Sequence, residues 1–155
     1  RKIRNGEKAT IVSMSLMTME AIRAADELKK QNISCDLIDL RTVAPIDWFE
    51  IFESVKKTGR LLVLDTGSKT GSISGEIISR VSTNHFDCLL APPKRIAYPD
   101  IPTPTSFSLT EKFYPDAKTI MEEIGKMLSV DVNTKNIKST KLPHDIPGEW
   151  FKGPF

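Results

Sequence analysis

The sequence predicts an α/β domain in which a mostly parallel sheet lies between layers of helices. Short apolar or β-branched runs alternate along the chain with longer segments of helical periodicity, and parallel strands need such helical crossovers between them. The runs carry little charge, which is typical of strands that are buried on both faces. The chain has 155 residues, about the length of one average domain.

The first half of the chain contains two strand–helix units. Residues 9–13 (Ala-Thr-Ile-Val-Ser) and 35–40 (Cys-Asp-Leu-Ile-Asp-Leu) are the predicted strands. An apolar stripe with helical spacing follows each of them, with Ser15 as the predicted N-cap of the first helix and Asp47 as that of the second. Gly59 lies just after two lysines, where a glycine commonly ends a helix.

The second half continues this alternation. Residues 61–64 are apolar throughout and predict a third strand. That strand leads into residues 65–72 (Asp-Thr-Gly-Ser-Lys-Thr-Gly-Ser), which we expect to form a loop because small residues dominate it. A helix is predicted over about residues 74–83, and residues 94–98 form the next strand.

Two further helices are predicted after the proline-rich residues 99–104. Residues 108–111 (Ser-Leu-Thr-Glu) match a capping box and should open a short helix. Asp116 is the predicted N-cap of the final helix, whose apolar stripe from Ala117 to Leu128 is the clearest in the chain.

Composition and cysteine content exclude several classes of protein. Lys and Arg total 22 and Asp and Glu total 20, for a net charge of +2, which is too balanced for an electrostatic nucleic-acid binder. No apolar run approaches the roughly 20 residues that span a bilayer. Cys35 and Cys88 are too few for a disulfide framework, so we expect a reducing compartment, the cytoplasm. Arg1 begins the chain without a signal-peptide core, so we expect a piece of a longer protein.

In an open α/β sheet, ligands bind at the carboxyl ends of the strands. Four predicted loops lie there: residues 14–15, 41–42, 65–72 and 99–104. The third is the most suggestive, because small residues before a helix N-terminus can bind an anion. It has neither the dinucleotide-binding glycine spacing nor a phosphate-loop Gly-Lys-Ser/Thr, so a structural turn is favoured over a ligand contact.

No group of residues in the sequence assembles a catalytic or metal site. Asp65 ends a buried strand, as in a receiver domain, but the first strand lacks the acids that the metal of such a domain requires. His85 has no second ligand pair at metal spacing, and His144 has no nucleophile nearby. Glu20 and Glu76 fall in early helical turns, where the helix dipole favours an acid without a catalytic purpose.

Several ordered segments carry a resemblance to one family. They include Ala-Thr-Ile-Val-Ser at 9–13, Ile-Asp-Leu-Arg-Thr-Val-Ala-Pro-Ile-Asp at 38–47, Val-Lys-Lys-Thr-Gly-Arg-Leu-Leu-Val-Leu at 55–64 and Pro-Asp-Ile-Pro-Thr-Pro at 99–104. Over about residues 6–128 the chain resembles the transketolase C-terminal domain. It is most similar to the form found in β subunits of 2-oxoacid dehydrogenase E1 components of the pyruvate and branched-chain type.

The resemblance implies a three-layer α/β/α fold with a mostly parallel five-stranded sheet. Its first strand, which would lie in residues 1–5, runs antiparallel to the rest. In these thiamine-diphosphate enzymes other domains hold the cofactor and its Mg²⁺, so the resemblance implies no catalytic residue and no bound cofactor in this domain. The C-terminal domain builds the subunit interface and helps to dock the E2 acyltransferase core.

The implied partners are the N-terminal domains of the same protein, an α subunit, a second β subunit and an E2 acyltransferase, with no nucleic acid and no membrane. We expect the interface residues in two loops and in the C-terminal tail. They are Thr70, Gly71, Glu76, Pro102, Pro104, Trp150 and Phe151.

The chain departs from the family pattern at glycine positions. Serine replaces glycine at Ser15, after the first strand, and at Ser72 and Ser74 within a Thr-Gly-Gly-x-Gly run. The family's acidic pair after the third strand is Asp65-Thr66 here. Serine is costly wherever such a glycine has a positive φ, so we expect these loops to differ in shape.

The chain divides into a predicted domain, residues 1–128, and an extended tail, residues 129–155. Residues 130–141 are polar and predict a linker. Three of the eleven aromatic residues lie in the last six positions, and exposed aromatics in such a segment favour docking on a surface. We expect Trp150 and Phe151 to anchor the tail on this domain or on a neighbouring subunit.

The sequence therefore predicts the C-terminal assembly domain of a thiamine-diphosphate-dependent 2-oxoacid dehydrogenase E1 β-type subunit, inactive on its own. The parent enzyme would decarboxylate a 2-oxoacid and pass the acyl group to a lipoyl partner. Two alternatives stay open. One is the C-terminal domain of a transketolase-like or deoxyxylulose-phosphate-synthase-like transferase, and the other is a protein-interaction module without an enzymatic parent.

Overall fold

The uncharged runs of the sequence form the centre of a five-stranded sheet in the computed structural model, which describes residues 1–137. The described elements are β1 (Lys2–Arg4), β2 (Ala9–Ser13), α1 (Leu16–Lys30), β3 (Cys35–Asp39), α2 (Trp48–Thr58), β4 (Leu61–Ser68), α3 (Ile73–Asn84), β5 (Lys94–Tyr98), α4 (Phe107–Phe113) and α5 (Ala117–Leu128).

The sheet has the order β1-β3-β2-β4-β5. β2 runs parallel to both β3 and β4, and β4 runs parallel to β5. β1 pairs with β3 at the edge and is antiparallel to it. The prediction of a mostly parallel five-stranded sheet with an antiparallel first strand is therefore confirmed.

Two hydrophobic clusters place the helices on opposite faces of this sheet. Alternate residues of a strand point to opposite faces, and in β2 the side chain of Ile11 joins one cluster while that of Val12 joins the other. The first cluster contains the apolar stripes of α1 and α5, and the second contains those of α2 and α3. This confirms the three-layer α/β/α arrangement.

Helix ends test the predicted caps. The Asp47 carboxylate accepts a hydrogen bond from the Glu50 N–H at 3.2 Å, and the Asp116 carboxylate accepts one from the Thr119 N–H at 2.9 Å, so both predicted N-caps are confirmed. Gly59 ends α2 with φ at +66°, as expected of a C-terminal glycine. The capping box is wrong in register, because α4 begins at Phe107 and Ser108 lies inside the helix.

Glu20 stabilises a helix other than its own, which the sequence did not predict. Its buried carboxylate accepts the N–H of Ala117 at 2.8 Å and so caps the start of α5 across the α1–α5 contact. Burial raises the pKa of Glu20, although Arg23 and the Ala117 N–H act in the opposite direction.

The chain after α5 packs back on the domain as far as the description extends. The Asn133 N–H donates to the Gln31 side-chain oxygen at 2.8 Å, and the Gln31 amide donates to the Asn133 carbonyl at 2.9 Å. Val132 and Ile137 pack against the first hydrophobic cluster. The boundary after residue 128 stays a prediction, and Trp150 and Phe151 lie outside the described residues. No helix within residues 1–137 has the length and apolar character needed to cross a membrane.

Candidate functional site

The carboxyl ends of β2, β3, β4 and β5 meet at one edge of the sheet, because these four strands are parallel. This carboxyl edge includes Ser15, the loop of residues 40–47 and the loops after β4 and β5. Its surface carries large apolar side chains, since Val43 is 51% exposed and Ile101 is 59% exposed.

Two of the predicted interface loops are joined at this edge by Thr70 and Asp100. The Thr70 N–H donates to one Asp100 carboxylate oxygen at 2.8 Å, and the Thr70 hydroxyl donates to the other at 2.7 Å. The Lys69 N–H donates to the Tyr98 carbonyl at 2.8 Å and holds the same loops together. We call this double hydrogen bond the Thr70–Asp100 clasp.

The clasp favours the ionised form of Asp100. The hydrogen bonds from the Thr70 N–H and hydroxyl lower the pKa of Asp100, and the charges of Arg95 and Lys69 act in the same direction. Asp100 itself was not among the predicted interface residues. The signal was present in the sequence as the acid of the Pro-Asp-Ile-Pro-Thr-Pro segment.

The other predicted interface residues are distributed around this edge and on α3. Gly71 is exposed with φ at +75°, Pro102 is exposed and Pro104 is half-buried. Glu76 lies in the first turn of α3, as predicted, and its carboxylate accepts a hydrogen bond from Arg80 at 2.7 Å. The Arg80 guanidinium also lies 4.4 Å from the centre of the Trp48 ring, so this ion pair links α3 to α2.

Asp65 occupies the position at which the sequence suggested an external anion. β4 continues to Ser68, so the first half of the predicted loop is strand. The buried Asp65 carboxylate accepts the N–H of Ser74 in the first turn of α3 at 3.0 Å and the N–H of Gly67 at 2.8 Å. The chain's own acid therefore satisfies these donors, as in the structural turn that the sequence favours over a ligand contact.

Ser15 has the backbone conformation that glycine favours. Its φ is +51° and its ψ is −134°, and its side chain makes no capping hydrogen bond to α1. The predicted N-cap is thus right in position and wrong in mechanism. Ser72 has a φ of −80° and Ser74 lies inside α3, so serine is strained at only the first of the three family glycine positions.

A second carboxylate network lies inside the domain, beneath α2. The buried Asp36 carboxylate accepts hydrogen bonds from the Gly6 N–H, the Ser54 hydroxyl and the Lys57 ammonium, each at 2.7 Å. Burial alone would raise the pKa of Asp36, but these hydrogen bonds and the charge of Lys2 outweigh it and lower the pKa. This network ties α2 to β3 and to the turn before β2.

Within residues 1–137 there is no group of three or more His, Cys, Asp and Glu side chains that could hold a metal ion. Burial raises the pKa of the Cys35 thiol to about 12, which disfavours the thiolate form. The His85 ring packs edge-on against Phe52, with ring centres 4.4 Å apart.

Comparison with known proteins gives one family match and several relatives. A model of the family described as "Transketolase, C-terminal domain" matches residues 1–120. The chain is 40% identical over 121 residues to the pyruvate dehydrogenase E1 component subunit beta of Rhizobium meliloti (strain 1021), which covers 78% of this chain and 26% of that subunit. It is 36% identical over 126 residues to the acetoin:2,6-dichlorophenolindophenol oxidoreductase subunit beta of Cupriavidus necator, which covers 81% of this chain and 37% of that subunit.

A solved structure shares the fold. The split gene transketolase, as an inactive β4 tetramer, superimposes with a TM-score of 0.72 and 23% identity, over 84% of this chain and 43% of that one. The chain thus spans between a quarter and a little under half of the length of the proteins that it matches, from 26% to 43%.

Proposed function

Since the chain belongs to the transketolase C-terminal domain family and is similar to E1 β subunits, we propose that it is the assembly domain of such a subunit. The parent enzyme is a thiamine-diphosphate-dependent 2-oxoacid dehydrogenase. In this proposal the carboxyl edge contacts a neighbouring subunit through Thr70, Gly71, the Pro102–Pro104 loop and Glu76, and the tail residues Trp150 and Phe151 extend the same interface.

The Thr70–Asp100 clasp is the observation that carries the proposal. It joins two exposed loops, and Ile101, the residue after Asp100, is 59% exposed. Loops that are ordered before binding lose less conformational entropy when a partner covers them. Exposed apolar side chains with a polar rim are the usual chemistry of a protein interface.

The cofactor belongs to other domains in this proposal. Thiamine diphosphate supplies the group on which a 2-oxoacid is decarboxylated, and the pyrimidine- and diphosphate-binding domains hold it together with Mg²⁺. The partners are the N-terminal domains of the same protein, an α subunit, a second β subunit and an E2 acyltransferase, with no nucleic acid and no membrane. The assembly works in the cytoplasm.

The test is a chimera in which this chain replaces the matched segment of the Rhizobium meliloti subunit. We expect the chimera to co-purify with the α subunit of that enzyme and to restore pyruvate-dependent dye reduction. In the chimera, Asp100→Ala should weaken co-purification at least fivefold, because the two loops lose their common anchor. Asp131→Asn removes one exposed charge elsewhere and should have no effect.

A chimera that folds, as judged by circular dichroism, and does not bind the α subunit would contradict the proposal. Equal losses of co-purification in the Asp100→Ala and Asp131→Asn chimeras would remove the carboxyl edge from the interface.

The relative from Cupriavidus necator makes acetoin a second candidate substrate of the parent enzyme. The same exchange in that subunit, assayed with acetoin, tests whether this chain assembles in one background better than in the other.

A further inference from the structure

An open groove of about 480 Å³ lies between α3 and β5, the last strand of the sheet. Its lining is partly apolar, with Ile78 and Pro93, and includes the cationic residues Lys69, Lys94 and Arg95. The Arg95 guanidinium lies against α3, where a side chain at Gly75 would approach it to 3.3 Å. This α3–β5 groove is not used by the proposed function.

The groove is positively charged and has no neutralising acid in its lining. Lys69, Gly75, Ile78, Ser79, Pro93, Lys94 and Arg95 line it, and none of them is acidic. Among residues 1–137 the three cations take part in no ion pair within 4.0 Å, although Lys69 and Arg95 are near enough to Asp100 to lower its pKa. The groove therefore favours an anionic ligand.

The cations are spread along β5 and do not converge on one point. Ser68 pairs with Tyr98, so Lys69 lies level with Pro99, one residue past the strand, and Arg95 is the second residue of β5. Four residues of strand separate these levels, or roughly 13 Å at about 3.3 Å per residue. A single phosphate is too small to contact both ends of this row, whereas an extended chain with several carboxylates matches its length.

The outer edge of β5 offers backbone hydrogen bonds to such a chain. The Tyr98 carbonyl points toward β4, since it accepts the Lys69 N–H at 2.8 Å. Backbone groups alternate along a strand in a parallel sheet, so those of Arg95 and Ala97 face away from β4. Within residues 1–137 no strand pairs with this edge, and an unpaired edge is a template for an added strand.

We propose that the α3–β5 groove binds an acidic, extended segment of a partner protein, which adds a sixth strand to the sheet beside β5. Ile96 packs into the cluster on the α1–α5 face, so Arg95 and Ala97 point to the α3 face. Every second side chain of the added strand then faces the groove. Carboxylates at those alternate positions pair with Arg95 and Lys69, whereas the same alternation puts the Lys94 side chain on the face of Ile96, from which its charge adds only long-range attraction.

The test uses the 155-residue chain and a fluorescein-labelled peptide of eight residues that alternates Glu and Val. We expect saturable binding by fluorescence anisotropy and slower hydrogen exchange of the Arg95 and Ala97 amides in the complex. The double variant K94E/R95E should lose at least tenfold in affinity. The matched variant K8E/K118E changes the charge equally on exposed lysines of other elements, and its affinity should stay within twofold.

Two peptides and one ion decide between this occupant and others. A peptide alternating Lys and Val should not bind, and one alternating Glu and Pro should bind at least tenfold more weakly because proline interrupts the strand ladder. Any of three results would overturn the proposal. The Glu-Pro peptide could bind as tightly as the Glu-Val peptide, or inorganic phosphate at the same concentration of negative charge could displace the Glu-Val peptide fully. The third is an equal loss of affinity in K94E/R95E and K8E/K118E. K69Q/K94Q, which retains polar side chains, repeats the affinity test if K94E/R95E does not fold.

Discussion

The Asp36 network beneath α2 and the carboxyl edge of the sheet each contain an aspartate that accepts several hydrogen bonds, but Asp36 is buried and Asp100 is exposed. In the interior, every oxygen of the Asp36 carboxylate has a donor within 2.7 Å, and the backbone around it is unstrained. At the edge, Ser15 has a positive φ, and Asp100 holds together two loops on the surface. Burial makes the first arrangement a requirement of folding, whereas the second retains strain and exposed groups that the fold alone does not require.

The largest expected effect is on the interior network. Asp36→Ala removes the acceptor of three donors and leaves the buried Gly6 N–H without an acceptor, while the Ser54 hydroxyl keeps the Thr10 hydroxyl as a partner at 2.7 Å. Removing one partner of a buried, charged hydrogen-bond group destabilises a protein by about 3 kcal/mol or more. We expect that loss in the free energy of unfolding, measured with urea at pH 7.

Asp26→Ala is the matched control for this loss. Asp26 accepts a hydrogen bond from Arg4 at 3.0 Å, but its side chain is 49% exposed. An exposed pair of this kind contributes about 0.2 to 1 kcal/mol. Similar losses in the Asp36 and Asp26 variants would show that burial does not separate the two regions.

A smaller effect is the pH dependence of the same network. Hydrogen bonds lower the pKa of Asp36 in the folded protein despite its burial, so its ionised form is favoured by folding. Its stabilising contribution is therefore fully present above the ordinary pKa of an aspartate, about 3.9, and is lost as pH falls through the lower folded value. The difference in unfolding free energy between wild type and Asp36→Asn should be constant from pH 7 to pH 5 and shrink below pH 4. A difference that grows on acidification would contradict this sign.

The sequence was sufficient for the fold and for only part of the site. Apolar runs and helical stripes identify the strands and the cores of the helices, because burial of a periodic face depends on local pattern. Contacts between distant residues have no such local signal. Asp65 and Ser74 are nine residues apart, Thr70 and Asp100 thirty, and Glu20 and Ala117 ninety-seven. The first two pairs meet because parallel strands bring the ends of loops to one edge of the sheet. The third pair meets because α1 packs against α5.

The smallest expected effect compares Ser15 with Ser72, two positions where the family pattern has glycine. A non-glycine residue at a φ of +51° carries about 1 to 3 kcal/mol of strain, while glycine adds less than about 1 kcal/mol of entropy to the unfolded chain. Ser15→Gly should therefore stabilise the protein by about 1 kcal/mol. Ser72 has a φ of −80°, so Ser72→Gly brings no relief of strain and should be neutral or destabilising. Urea unfolding of the two variants measures both signs. A destabilising Ser15→Gly would mean that the carboxyl edge stores no strain at Ser15, and a stabilising Ser72→Gly would mean that relief of strain does not separate the two positions. In either case the contrast with the interior would rest on exposure alone.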